Sequence, residues 1–315
     1  MQKPRLSDSV SGALLLGAAF IALSWANSPQ SVSYEWLHQF GLIPAAAIFV
    51  FFATVGMELR HEITEGSLSK PGKAALPIAA AIGGMLVPAL FFTTININTG
   101  SLAGWAIPMS TDIAFALAVL AIFGKRMPKE LRAFLLTIAV VDDVLAIGVI
   151  AIFYTADFNL LSLASVAGVV IGLLLPRRVS KFAHTKLETF NSLIGLPIFV
   201  LFEAGVHIAP TDTTAVLNSP VIYGVIAGLV LGKPCGILVG TWIASGITKQ
   251  SVVYEDLIPI ALLGGVGFTI ALLMNSLSFV EGSQQSASGT MGVIIGSAVS
   301  ASLAVYLMNK RAANA

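Results

Sequence analysis

Apolar runs of about 20 residues, the length that crosses a bilayer core as a helix, follow one another along this chain with short polar connections between them. They predict ten spans, at 10–27, 36–58, 74–95, 100–123, 132–155, 159–176, 188–207, 220–245, 257–279 and 288–309, of which the sixth is short. Lys3 and Arg5 precede the first run, and Ser24-Trp25-Ala26 offers a small-residue cleavage pattern. A chain that is apolar throughout reads this run more simply as its first anchor.

Lysine and arginine orient the array, because they stay on the cytoplasmic side of short loops. Lys3 and Arg5 precede the first span, and Arg60, Lys70 and Lys73 lie between the second and third. Lys125, Arg126, Lys129 and Arg132 frame the fourth-to-fifth connection, and Arg177, Arg178, Lys181 and Lys186 the sixth-to-seventh. Lys249 follows the eighth span, and Lys310 and Arg311 close the chain. The alternate connections, around 28–35, 96–99, 156–158, 208–219 and 280–287, hold neither residue. Of 17 cationic residues, all but Lys233 therefore fall on one side. That alternation supports ten spans with both termini cytoplasmic.

Two spans are interrupted. Pro108-Met109-Ser110-Thr111-Asp112 breaks the fourth, and Gly264-Gly265-Val266-Gly267-Phe268-Thr269 the ninth. Unwound backbone survives at membrane depth only where protein or a water-filled cavity satisfies it. Either break alone reads as a kink. Their placement adds more, because each is the middle member of a triplet (spans 3–5 and 8–10) and the charge pattern orients the triplets oppositely. Inverted repeats with interrupted helices are a transporter layout. The fold class predicted is an all-α polytopic membrane protein of about ten helices with two inverted three-helix repeats.

Composition agrees. The chain of 315 residues is 56% hydrophobic and 10% charged, against about 25% charged in a soluble domain, and its mean hydropathy is +0.89. Its net charge of +1 and lack of basic runs give no sign of a nucleic-acid partner; membrane lipid is the expected surrounding. The single cysteine, Cys235, excludes an internal disulfide, and His38, His61, His184 and His207 show no metal-binding spacing.

Asp112, Asp142, Asp143 and Lys233 fall within predicted spans. Four such charges cost about 10–14 kcal/mol before compensation. Lys233 can neutralise one aspartate, but three carboxylates face one ammonium. At least one must be protonated, hydrated or cation-bound. Asp142 and Asp143 are adjacent in the fifth span and point about 100° apart on a helix, so one is expected to line a cavity while the other pairs with a neighbouring helix. Spacing alone leaves open which does which. A carboxylate with adjustable solvation lets protons and a metal cation compete, and Thr111 and Asp112 in the first break offer further oxygen for a hard cation. Glu58, Arg60, His61, Glu62 and Glu65 cluster at the end of the second span, with Glu188 starting the seventh. They read as a solvated terminus, or as a pH-responsive rim, histidine being the residue type that titrates near neutrality. Glu203 is placed near the outer interface.

Several stretches carry a family likeness. They are Val55-Gly56-Met57-Glu58, Ala81-Ile82-Gly83-Gly84-Met85, Gly104-Trp105-Ala106-Ile107-Pro108 running through Thr111-Asp112-Ile113-Ala114-Phe115-Ala116-Leu117, Val141-Asp142-Asp143, Ile152-Phe153-Tyr154-Thr155, Gly232-Lys233-Pro234 and Gly265-Val266-Gly267-Phe268-Thr269. In this order, over most of the chain, they resemble the NhaA family of bacterial sodium/proton antiporters. The resemblance implies a multi-pass protein of the bacterial inner membrane that takes up protons electrogenically in exchange for exported sodium, serving pH and sodium homeostasis. It implies Asp143 as the Na⁺/Li⁺ and proton site, Asp142 as its partner, Lys233 as the cavity lysine, and Asp112 with Thr111 at the crossing of the broken helices. A pH-response rim, on the second reading of that cluster, would consist of Glu58, His61, Glu62 and Glu188, the last in a stretch that matches the family only loosely. No cofactor is expected beyond the transported Na⁺ or Li⁺ and H⁺, and the chain is expected to be no enzyme. Within one membrane domain, 1–315, residues 74–155 and 220–309 would form the ion-translocating core and 10–58 and 159–207 the scaffold.

The chain departs from the family pattern in places. The family usually has twelve spans. The sixth span here begins like the family's sixth helix, and Gly168-Val169-Val170-Ile171-Gly172 through Pro176 looks like the end of its eighth. The loop at 28–35 is too short for the family's dimerising hairpin, so a homodimer would form without it. Leu145 stands where the family has a small glycine two positions after the aspartates. The shortened scaffold motivates a second reading, a non-transporting or regulatory relative. An intramembrane aspartyl protease is a third class, but it needs an aspartate in its glycine-rich motif, and Gly264–Thr269 has none.

Overall fold

The computed structural model describes residues 6–69, 71–124, 127–154, 159–176, 186–205, 213–250 and 252–314, all of their regular structure helical. Lys3, Arg5, Lys70, Lys125, Arg126, Thr155, Arg177, Arg178, Lys181, His184 and His207 lie outside the described residues.

In chain order the helices are α1 (Leu6–Ala26), α2 (Ser31–Leu37), α3 (Leu42–Thr64), α4 (Pro71–Asn96), α5 (Ile113–Phe123), α6 (Lys129–Phe153) and α7 (Leu160–Leu174). Then come α8 (Leu196–Glu203), α9 (Thr213–Leu217), α10 (Pro220–Ala227), α11 (Lys233–Thr248), α12 (Tyr254–Gly264), α13 (Phe268–Ser278) and α14 (Gln284–Asn314). A 3₁₀ helix, Leu102–Met109, precedes α5, and π-helical turns Asn191–Gly195 and Gly228–Gly232 lead into α8 and α11. Among the described residues, six helical runs can cross a bilayer by length and apolarity, or seven with α12 and α13 as one span bent by 45°. Leu160–Leu174 is apolar but shorter, and α1, Leu6–Ala26, is apolar over Val10–Ala26.

The second predicted span shifts. It was expected over 36–58 and occupies Leu42–Thr64, because 31–40 folds separately as α2 and a 3₁₀ turn, His38–Phe40. Both π turns share a local cause. Each ends on a glycine two residues before a proline, in Gly195-Leu196-Pro197 and Gly232-Lys233-Pro234. Proline has no N–H to donate, and its ring presses on the carbonyl four residues back. A wider turn relieves that conflict.

Close helix contacts reveal the relative directions. A Cβ on Gly168 would stand 2.5 Å from the Phe49 carbonyl oxygen, and one on Gly172 would stand 2.2 Å from that of Ala53. Both numbers rise together, so α3 and α7 run parallel. Across α4 the numbers run against each other. A Cβ on Gly240 would meet the Ala79 oxygen at 2.1 Å, and one on Gly236 the Gly83 oxygen at 2.0 Å. Further along, Asn96 Nδ2 donates to the Pro220 oxygen at 3.3 Å. α4 is therefore antiparallel to α10–α11. These elements open the two triplets, so the triplets are inverted, as the charge pattern required.

Gly236 tests this contact, because even one added methyl must displace backbone. Gly236→Ala is expected to lose about 1–3 kcal/mol, read as a lower thermal midpoint in detergent. Gly148→Ala, where a Cβ meets no heavy atom within 4 Å, should match or exceed the parent. Equal midpoints for both variants would show the α4–α11 contact to be looser than described.

Candidate cation site

Between the 3₁₀ helix and α5, Ser110 and Asp112 are extended. Gly265–Gly267 separates α12 from α13, and the two breaks cross in contact. Asp112 N donates to the Val266 oxygen at 2.6 Å, and Thr111 Oγ1 lies 2.8 Å from the Gly264 oxygen. The Asp112 carboxylate accepts from Phe115 N at 3.0 Å, from Thr269 N at 3.2 Å and from the Thr269 hydroxyl. Asp112 thus caps the first turns of both α5 and α13. Helix N-termini carry partial positive charge and unsatisfied N–H groups, so one carboxylate serves two of them.

Lys233 takes the complementary position. Its ammonium donates to the Met109 carbonyl, at the end of the 3₁₀ helix, and to Asp142 Oδ2 at 2.5 Å. Thr111 Oγ1 is also 2.8 Å from Asp142 Oδ2. Lys233, Asp142 and Asp143 are each 0% exposed. Asp142 Oδ1 and both oxygens of Asp143 have no hydrogen-bond partner among the described residues. Three carboxylates facing one ammonium thus divide into three situations: Asp112 is held by amides and a hydroxyl, Asp142 by Lys233, and Asp143 by nothing.

Asp143 lines a cavity of about 120 Å³. That is room for several waters, since one needs roughly 10–15 Å³ of such volume. The cavity runs between α3, α5, α6 and residues 188–196, and Glu58, Thr54, Glu188 and Asn191 also line it. A second cavity of about 20 Å³ sits against Thr111, Asp112 and Thr269. Of the four rim residues, Glu58 and Glu188 reach the larger cavity. His61 instead stands 3.7 Å from Glu65, and the Glu62 carboxylate lies over Gly66; neither lines the cavity. Arg60 donates to the Leu173 and Leu175 carbonyls at the end of α7. Leu145, half-buried, packs against the apolar core.

At the opposite end of the bundle, side chains bridge neighbouring helices. Tyr154 Oη donates to the Ala103 oxygen at 2.8 Å and is met by Ser278 Oγ at 3.2 Å. Ser276 Oγ donates to Glu203, Tyr34 Oη bonds the Leu201 oxygen at 2.7 Å, and His38 Nδ1 lies 2.6 Å from Glu281 Oε1. The Glu281 carboxylate, chiefly by hydrogen bonding, raises His38 above its usual 6.5, with Glu203 and Glu35 adding to it. His38 in turn lowers Glu281 below its usual 4.5. The clasp is therefore held while Glu281 is ionised and His38 protonated. Its contribution is complete below pH 6.5 and is lost as pH rises through the raised His38 value; at the acid end it is lost below 4.5. His38→Gln is expected to lower the thermal midpoint at pH 6 but not at pH 9, by under about 1 kcal/mol for so exposed a pair. A loss of the same size at both values would contradict the clasp.

Thr54 and Asn191, both buried and both on the cavity wall, are not among the residues that the sequence singles out. The available signal was an asparagine inside an apolar span, where polar side chains are rare and functional.

Helices broken where inverted triplets cross, beside a carboxylate with no partner, are the architecture of a secondary transporter. Comparison with known proteins narrows that class. The family model described as Na⁺/H⁺ antiporter 1 matches residues 5–180 and 163–308, and the chain belongs to this family. It is 38% identical to Na⁺/H⁺ antiporter NhaA 2 of Mycolicibacterium vanbaalenii, over 96% of this chain and 83% of the relative. It is 39% identical to Na⁺/H⁺ antiporter NhaA 1 of Kineococcus radiotolerans, over 96% and 88%. Against Na⁺/H⁺ antiporter NhaA of Mycolicibacterium smegmatis it is 38% identical, over 97% and 86%. The first alignment runs over 385 positions, more than the 315 residues of this chain, so the relative carries sequence absent here. The two family matches overlap at 163–180, on α7 and the residues after it. The overlap falls within and just after the sixth predicted span, 159–176, where two of the family's spans are expected to be missing.

Proposed function

We propose that this protein exchanges Na⁺ or Li⁺ for protons across a bacterial inner membrane by alternating access, with both termini cytoplasmic. The observation that carries this reading is Asp143, fully buried, without a hydrogen-bond partner on either oxygen among the described residues, and on the wall of a cavity large enough for a partly hydrated cation. Asp143 binds the cation or a proton in turn. Asp142 and Lys233 neutralise each other beside it, and Asp112 with Thr111 holds the crossing together.

The cavity reaches Glu58 and Glu188 on the Lys- and Arg-bearing end, while hydrogen bonds at Tyr154, Ser276 and Tyr34 close the other. This supports an inward-open arrangement in which Glu58 and Glu188 form the rim that responds to cytoplasmic pH. Opening the other side requires the core, 74–155 and 220–309, to shift against the scaffold, 10–58 and 159–207. A homodimer would pair without the family hairpin, and no cofactor takes part.

Everted vesicles from a host lacking its own sodium antiporters test the reading. Addition of Na⁺ or Li⁺ should dissipate an imposed proton gradient, more strongly toward alkaline pH. No cation-dependent dissipation from neutral to alkaline pH, with the protein present in the vesicles, would count against transport.

A further inference from the structure

The cavity wall facing Asp143 includes the π turn that begins at Asn191, a residue only 3% exposed. Asn191 Nδ2 donates to Thr54 Oγ1 at 3.2 Å. The Thr54 hydroxyl gives its own proton to the Phe51 carbonyl at 2.6 Å. A hydroxyl has one proton, so toward Asn191 the Thr54 oxygen can only accept. This fixes the amide's orientation, with the NH₂ on Thr54 and the carbonyl turned away. That carbonyl oxygen, Oδ1, has no partner among the described residues. The space around it is kept by Gly195, where a Cβ would stand 2.6 Å from Oδ1.

Two residues on one cavity thus present buried oxygens that nothing satisfies: the carboxylate of Asp143 and the amide carbonyl of Asn191. Orphaned buried acceptors are costly and are retained for a reason. A hard cation wants several oxygen ligands, and a lone carboxylate offers two. Among the described residues no group of three or more His, Cys, Asp or Glu stands together, so neutral oxygens are needed to complete such a shell.

We propose that Asn191 Oδ1 is a neutral ligand, direct or through one water, of the monovalent cation that Asp143 binds. The proposal rests on the reading of Asp143 as the exchange site. It also has a chemical consequence. An amide carbonyl attracts a metal cation but takes up no proton at physiological pH, whereas a carboxylate takes either. Asn191 therefore biases the competition at the site toward the metal ion.

The test uses the full chain in everted vesicles, with dissipation of the proton gradient followed against Na⁺ and Li⁺ concentration. Asn191→Leu keeps the branched shape at Cγ and removes the oxygen. It is expected to raise the apparent KM about 5- to 30-fold, by amounts that differ for Na⁺ and Li⁺, while transport at saturating cation persists. Gly195→Ala leaves Asn191 in place and crowds its oxygen, and should shift KM in the same direction; it decides the matter if Asn191→Leu does not fold. Asn191→Ser, which restores an oxygen, should recover part of the affinity. Parent KM values in Asn191→Leu, or in Gly195→Ala where that variant alone folds, would overturn the proposal. So would a fall in maximal rate alone. The two readings separate cleanly: full transport by Asp143→Asn removes the exchange site itself, whereas an inactive Asp143→Asn with parent KM in Asn191→Leu removes only the role of Asn191.

Discussion

Asp143→Asn is expected to abolish cation-dependent dissipation of the proton gradient, with at least a 100-fold loss at subsaturating Na⁺, about 2.7 kcal/mol of lost interaction. The substitution is nearly isosteric and removes both the negative charge and the proton site. Folding should survive it, because neither Asp143 oxygen holds any other residue. An uncharged amide is also cheaper to bury than a carboxylate, so the thermal midpoint should stay level or rise. The combination identifies an exchange site: transport lost, stability kept. Vesicles are the assay, with the variant's abundance and midpoint measured alongside. Retained transport would move the site elsewhere, and lost transport with lost stability would mark Asp143 as structural.

Lys233→Met is expected to show the opposite balance. Asp142 and Lys233 are both 0% exposed and stand 2.5 Å apart. Removing the ammonium leaves a buried carboxylate with only Thr111 beside it, and strips the Met109 carbonyl of its donor. Breaking a buried pair on one side costs about 3–5 kcal/mol. Replacing both partners by apolar residues is far milder, so Lys233→Met combined with Asp142→Leu should recover most of the midpoint lost by Lys233→Met alone. The double-mutant cycle, read by thermal unfolding in detergent, checks this. Additive losses would show that the two side chains do not act as a pair.

The gross layout was legible because it rests on two strong physical constraints. Apolar length sets the spans, and the segregation of Lys and Arg sets their direction. The antiparallel register of Gly236 with Gly83 follows from the orientation that those charges imply. Legible too were the breaks at Pro108–Asp112 and Gly264–Thr269, since proline and glycine act locally. Other features needed three dimensions. The 31–40 segment folds as a short helix and a 3₁₀ turn between spans, too short for periodicity to reveal. The unequal surroundings of Asp142 and Asp143 depend on which neighbour faces each, and Lys233 comes from an element 91 residues away in sequence. The place of Asp112 in the first break predicts an oxygen donor that offsets half-helix dipoles, without saying which helix ends it meets. Its amide partners, Phe115 on α5 and Thr269 on α13, the latter 157 residues from it in sequence, show it as a double helix cap. The rim split for a similar reason: Glu58 and His61, one turn apart on α3, face a cavity and a neighbouring glutamate respectively.

The central claim is that one buried carboxylate is exchanged between a proton and a metal cation. Proton release from the purified protein tests it most directly, without membranes or gradients. In weakly buffered detergent solution, adding Na⁺ or Li⁺ to the parent protein should release protons and acidify the medium. The release should saturate with cation concentration, and Asp143→Asn should release none. Equal release by both proteins would contradict the account, as would binding of Na⁺ by the parent with no proton released at any pH where transport occurs.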